Sequence, residues 1–154
     1  MSRRLRDEIK QTKPFTSPRE EAYLNLQRSA ALLEQQLARF FKSWKLTPTQ
    51  YNVLRILRGA HPEALPCREV GDRMVTPVPD VTRLLSRLEE KEMVRRSRGT
   101  TDRRVVLVTV TDSGRELLDE IEGPLRERMK ELLGHMEADD LRELSRLLER
   151  LRDR

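Results

Sequence analysis

The sequence predicts a mainly α-helical fold with a small two- or three-stranded β element towards its middle. Three observations lead there. Apolar residues recur at alternating spacings of three and four over long stretches, Ser/Thr-Pro pairs mark helix starts, and RRSRGTTDRRVVLVTVT (95–111) departs from both patterns. That stretch sets five arginines around a Gly-Thr-Thr-Asp centre and then becomes a run of β-branched residues, which suits a hairpin.

Composition narrows the class. The chain has 154 residues, 36% hydrophobic and 37% charged, against roughly 45–50% and about 25% in typical globular domains. The core must therefore be lean, and part of the apolar surface is expected to be buried by self-association. Residues 1–47 carry 10 Lys/Arg and 5 Asp/Glu, residues 48–111 carry 12 and 8, and residues 112–154 carry 9 and 13. The excess of +5 thus lies in the first two-thirds, and a polyanion is a reasonable partner. Cys67 is the single cysteine, so neither a disulfide framework nor a cysteine-rich zinc cluster is expected. His61 and His135 lack metal-ligand spacing, and no cofactor is expected. MSRRLRDEIKQ is unlike a signal peptide, and no run of apolar residues could span a bilayer. The expectation is a cytoplasmic protein without a membrane partner.

Taken in order, residues 1–16 are basic and weakly patterned and predict a flexible tail. In SPRE, Ser17 caps, Pro18 suits the first helical position and Glu20 completes a capping box. The following helix carries Tyr23, Leu26, Ala30, Leu33, Leu37, Phe40 and Trp44 as one stripe, widened by Leu24, Ala31, Leu32, Ala38 and Phe41. Such width predicts contact with two partners. TPTQ (47–50) repeats the start signal, and its helix runs through Tyr51, Val53, Leu54, Ile56 and Leu57 to Gly59. AHPEALP (60–66) predicts a turn and 67–74 a short helix with Val70 and Met74 inward. A helix over 77–92 follows, with Thr76 as cap and Val81, Leu84, Leu85 and Leu88 buried. After the hairpin, Thr111 caps a long helix expected to bend at Gly123-Pro124, and Leu141, Leu144, Leu148 and Leu151 mark the last one.

Three short helices followed by a hairpin make a winged helix-turn-helix over 47–111. Residues 17–46 and 112–154 form a helical region that is expected to dimerise. In a helix-turn-helix the second helix lies in the major groove. Its outward face here would carry Pro79, Thr82, Arg83 and Ser86, flanked by Asp80 and Arg87. Arginine can bond guanine bidentately, Ser or Thr can reach base or phosphate, and an acid can accept from cytosine N4. An ordinary amphipathic helix with a solvated face is the alternative for this element alone. The hairpin tip shifts the balance, because Arg98, Arg103 and Arg104 repel one another unless an anion lies between them. A phosphate backbone or a narrow minor groove supplies one. Asp102 is read as a local pairing or capping group that shapes the tip; a charged edge hairpin that resists aggregation is the alternative.

DRRVVLVTVT fits the pattern D-x-R-x-x-x-V-x-[LV]-T, which marks the wing of the MarR family of bacterial transcription regulators. PDVTRLLSRLEEKEMVRR resembles that family's recognition helix and first wing strand, and LTPTQYNVLRIL its second helix. The resemblance covers roughly residues 20 to 152. It implies an obligate homodimer whose two winged domains read a pseudo-palindromic operator in double-stranded DNA, most often as a repressor. It also implies that Asp102 orients the wing, Arg104 enters the minor groove, and Thr82 and Arg83 sit at the major groove. Members often place Gly-Val-Ser before the recognition helix, whereas this chain has MVTPVPD (74–80), so the helix start is shaped differently.

Many relatives release DNA when a small aromatic compound binds between the dimerisation helices and the winged domain. Phe40, Phe41, Trp44 and Tyr51 could line such a crevice, or be plain core. Some members sense peroxide through a cysteine near the first helix; Cys67 opens the third instead and reads as structural. No nucleophile–base pair, glycine-rich phosphate loop or G-x-S-x-G occurs, so no enzymatic activity is expected. The competing function is a winged-helix protein–protein interaction module that does not bind DNA.

Overall fold

The computed structural model describes residues 4–153. Residues 1–3 of the expected tail and residue 154, the end of the expected dimerisation region, lie outside the described residues. The chain divides into two compact units at Pro48.

The first unit holds α1 (Leu5–Glu8) and α2 (Pro18–Lys42). Within the stretch read as a tail, α1 forms one turn with Leu5 buried, and Glu8 pairs with Arg28 of α2 at 3.5 Å. Ser17 caps α2 as the sequence predicts, its Oγ accepting from the Glu20 N–H at 3.2 Å. Glu20 does not close a capping box on Ser17. Its Oε2 accepts from both the N–H and the hydroxyl of Thr16, each at 2.6 Å, because the preceding residue offers two donors to the same oxygen. Those bonds hold the Glu20 carboxyl below the usual carboxylate range. Along α2, Phe41 is buried while Tyr23, Leu26, Leu32 and Leu33 stay exposed.

The second unit runs α3 (Pro48–Ala60), β1 (Leu65–Pro66), α4 (Cys67–Asp72), α5 (Val81–Glu90), β2 (Val94–Arg98), β3 (Val106–Val110), α6 (Asp112–Leu133) and α7 (Ala138–Arg152). The three strands form one antiparallel sheet in the order β1-β3-β2. Val108 is its centre, facing Leu65 on one side and Arg96 on the other. Val53, Leu54, Leu57, Val70, Leu85, Leu88, Val108, Leu118 and Ile121 are almost wholly buried. Each such side chain contributes about 1.5–3 kcal/mol. Arg58 of α3 reaches across to α6, with Nη1 at 3.2 Å from Asp119 and 3.8 Å from Glu122.

The structure departs from the predicted boundaries around the helix-turn-helix. The last two residues of the expected AHPEALP turn form β1, which exists only through pairing with the distant β3; Pro66 is tolerated because β1 is an edge strand. The short helix stops at Asp72 rather than 74, although Val70 and Met74 are buried as predicted. The next helix begins at Val81 and ends at Glu90, not 77–92. Thr76 does not cap it. Pro77 and Pro79 each push the residue before them away from helical geometry, and Asp80 then becomes the cap, its Oδ1 accepting from the Arg83 N–H at 2.9 Å.

The sheet and α6 meet at a tight junction. Thr111 Oγ1 accepts from the Gly114 N–H at 3.1 Å and donates to the Glu92 carbonyl at 2.7 Å. Glu92 has φ 58°, a left-handed conformation that this bond helps to hold. A Cβ on Gly114 would lie 2.4 Å from the Met93 carbonyl oxygen, so only glycine lets the helix approach so closely. α6 runs on through Pro124 as one helix.

Candidate nucleic-acid interface

The amphipathic pattern of α5 fixes which side chains face outward. Leu85 and Leu88 are buried and Val81 and Leu84 half-buried, which leaves Thr82, Arg83 and Arg87 exposed. Ser86 is half-buried, and its hydroxyl donates to the Thr82 carbonyl at 3.0 Å, leaving its lone pairs available. Pro79 and Asp80 are exposed at the helix entrance. Asp80 has a structural duty as cap, so one of its oxygens is already engaged. Among the described residues, the Arg83 and Arg87 guanidinium groups have neither an ion pair nor a hydrogen bond.

At the hairpin tip the backbone folds on itself through Asp102. Its Oδ1 accepts from the Arg104 N–H at 2.9 Å, and its carbonyl accepts from the Val105 N–H at 3.1 Å. The Val105 carbonyl in turn accepts from Gly99 at 2.9 Å. A Cβ on Gly99 would stand 2.6 Å from the Asp102 carbonyl oxygen, so the turn closes this tightly only over glycine. The three tip arginines are then placed differently. Arg98 Nη1 donates to the Arg103 carbonyl at 3.3 Å, which ties it across the turn. Arg103 has no side-chain partner among the described residues. Arg104 is 95% exposed, and its Nε lies 3.7 Å from Asp102 Oδ1, a loose tether rather than a clamp.

One arginine of the cluster behaves otherwise. Arg96 donates its Nε at 2.9 Å and its Nη2 at 2.7 Å to Glu89 Oε2, while its backbone N–H donates to Oε1 at 3.0 Å. These bonds hold the Glu89 carboxyl below the usual carboxylate range. The pair is therefore intact at neutral pH, and its contribution is lost only when acid protonates Glu89 below that range. The sequence gives no local sign of this pairing, since it forms only after the chain reverses between α5 and β2.

Cys67 is half-buried in an open cleft between α4 and α5 that is also lined by Arg68, Asp72, Pro77, Val78 and Thr82. Burial pushes its thiol up, opposed in part by the Arg96 charge. Of the aromatic residues read as a possible crevice lining, Phe40 packs edge-on to Phe41 at 5.1 Å and tilts against Trp44 at 4.8 Å. Tyr51 belongs to the second unit, where the Arg55 guanidinium lies 5.9 Å over its ring. Among the described residues no cluster of His, Cys, Asp and Glu could hold a metal ion, and no helix is long and apolar enough to cross a membrane.

A short helix, a connection, an amphipathic helix with two exposed arginines and an arginine-tipped antiparallel hairpin define a winged helix-turn-helix module. Residues 36–121 match the family model of the SarA/Rot transcriptional regulators. A MarR transcription factor from Planctomyces limnophilus is 41% identical, with 88% of this chain and 98% of that chain covered and a TM-score of 0.70. The chain belongs to the MarR family of winged-helix transcription regulators. The same fold recurs in an E. coli MarR mutant complexed with operator DNA, at 23% identity, 82% and 90% coverage and a TM-score of 0.75. It recurs also in BpsR of Bordetella bronchiseptica, whose DNA binding is regulated by 6-hydroxynicotinic acid, at 24% identity, 92% and 99% coverage and a TM-score of 0.78.

Proposed function

We propose that this protein is a homodimeric, sequence-specific regulator of double-stranded DNA that acts as a repressor and is released from its operator by a small ligand. α5 occupies the major groove, with Thr82, Arg83, Ser86 and Arg87 towards base edges and phosphates and Pro79 and Asp80 at its entrance. The wing tip enters the adjacent minor groove through Arg104, with Arg98 and Arg103 on flanking phosphates and Asp102 holding the turn. A dimer would place two such modules about one helical turn apart on a pseudo-palindrome. The observation that carries this reading is the set of uncommitted cations: among the described residues the Arg83, Arg87 and Arg103 guanidinium groups have no partner, and Arg104 is tethered only loosely. Phe40, Phe41 and Trp44 are the candidate contacts for an aromatic effector, a role supported by the ligand regulation of BpsR.

Binding of the purified protein to duplexes enriched from a random-sequence pool, titrated with salt, tests the assignment. Arg83→Ala should erase discrimination at one base pair, by about 1–3 kcal/mol. Arg104→Ala should weaken all duplexes more evenly and lower the salt slope by about 0.9. Equal affinity of Arg104→Ala and parent across the titration refutes the role of the wing.

A further inference from the structure

We infer that Glu89 and Arg96 form a brace that fixes the wing relative to the recognition helix, so that one rigid body reads both grooves. The inference rests on the two-groove reading proposed above.

Glu89 lies in the last turn of α5, and Arg96 at the middle of β2. Three donors of Arg96 meet both carboxylate oxygens of Glu89, at 2.7 to 3.0 Å. A single exposed ion pair constrains little. A guanidinium fork combined with a backbone N–H on the same carboxylate fixes orientation as well as distance. The point of attachment matters as much. Arg96 pairs with Val108, which also pairs with Leu65, so the brace grips the row where all three strands lie side by side. The end of the recognition helix is thereby tied to the middle of the sheet rather than to its tip.

Arg96 is thus turned inward, with only 26% of its side chain exposed, while Arg104 is 95% exposed. Among the arginines of 95–104 it is a positioning residue and not a phosphate ligand. Two readers that must enter adjacent grooves together bind better when their separation is set beforehand, because no freedom is then lost on binding.

The test uses the full chain and the duplex that the parent enriches from a random-sequence pool. Glu89→Gln and Arg96→Gln are each expected to bind about tenfold more weakly, and the double variant no more weakly than either single one. Their salt slopes should fall together, because both loosen the wing's phosphate contacts although Glu89→Gln removes no cation. Guanine N7 protection in the major groove should persist, while hydroxyl-radical protection in the minor groove fades. Arg96→Lys, which keeps the charge but not the fork, should show the same loss of minor-groove protection. Three binding defects overturn the brace: a slope lowered in Arg96→Gln but not in Glu89→Gln, losses that multiply in the double variant, or protections that fade together in step with the thermal midpoint. Variants that bind like the parent overturn it too. A parent that enriches no duplex at physiological salt instead removes the two-groove reading itself.

Discussion

Asp102 shows how a carboxylate can serve a surface meant for a polyanion. Its charge works against DNA, yet its Oδ1 on the Arg104 N–H and its carbonyl on the Val105 N–H close the turn that presents the arginines. Asp80 plays the same double part at the entrance to α5. Cys67 is the residue whose chemistry is easiest to misjudge, because it opens a helix at the edge of the helix-turn-helix cleft. Burial raises its thiol, and this outweighs the opposing Arg96 charge, so less thiolate is present at neutral pH than in an exposed cysteine. Ellman's reagent should react with it more slowly than with glutathione at neutral pH, and urea should remove the difference. The folded state holds the thiol proton more tightly, so stability is lost as rising pH ionises the thiol. A native rate equal to or above that of glutathione would sink this reading. Its structural reading was accessible from the sequence, since Cys67 lies away from the first helix where sensing cysteines of the resembling family sit. The Glu89–Arg96 pair was not, because nothing local links residues seven apart across a reversal.

At the scale of elements, those whose ends are set by neighbours in the chain were legible and those set by distant partners were not. Ser17 and Thr111 cap where the sequence places them, each from a hydroxyl three residues ahead of its target N–H. β1 is two residues long and exists through Leu65–Val108 and Pro66–Leu107, a pairing more than forty residues away. The start of α5 was misjudged for a different reason. Thr76-Pro77 copies the cap-and-proline signal of the two earlier helices, but the second proline at 79 moves the first helical turn beyond it. Asp80 therefore has a structural role and, on the proposed reading, a contact role, and substitution can separate the two. Asp80→Ala should destabilise the protein by about 1 kcal/mol through loss of the cap, read from urea unfolding. Asp80→Asn keeps the capping oxygen and should unfold like the parent, while any change in its base preference reports the contact. If Asp80→Ala unfolds at the parent's urea midpoint, the cap contributes nothing.

At the scale of the whole molecule, charge and apolar surface are sorted along the chain. The acidic C-terminal helices neutralise themselves within a turn: Asp112 with Arg115, Glu122 with Arg126, Glu127 with Lys130, Glu131 with Arg128, Asp139 with Arg142 and Glu143 with Arg146. Exposed pairs of this kind add little stability, but with 9 Lys/Arg against 13 Asp/Glu over residues 112–154 these helices carry a net negative charge, in contrast to the outward arginines of α5 and the tip. The apolar surplus lies elsewhere. α7 has no buried residue, and Leu144, Leu147 and Leu151 are 42%, 47% and 56% exposed on one stripe. An isolated helix of 15 residues is marginal in water, so α7 needs a partner to cover that stripe. α2 leaves Tyr23, Leu26, Leu32 and Leu33 open in the same way. On the homodimer proposed above, a second copy supplies the cover, which accords with a lean chain that lacks apolar residues to bury them alone. The protein should sediment as a dimer with a thermal midpoint that rises with concentration. Leu144→Glu combined with Leu151→Glu should yield a less stable monomer that has lost the affinity gained from two linked half-sites. Sedimentation and duplex binding measured on the same samples decide it, and a double variant as dimeric as the parent would show that α7 finds its cover elsewhere.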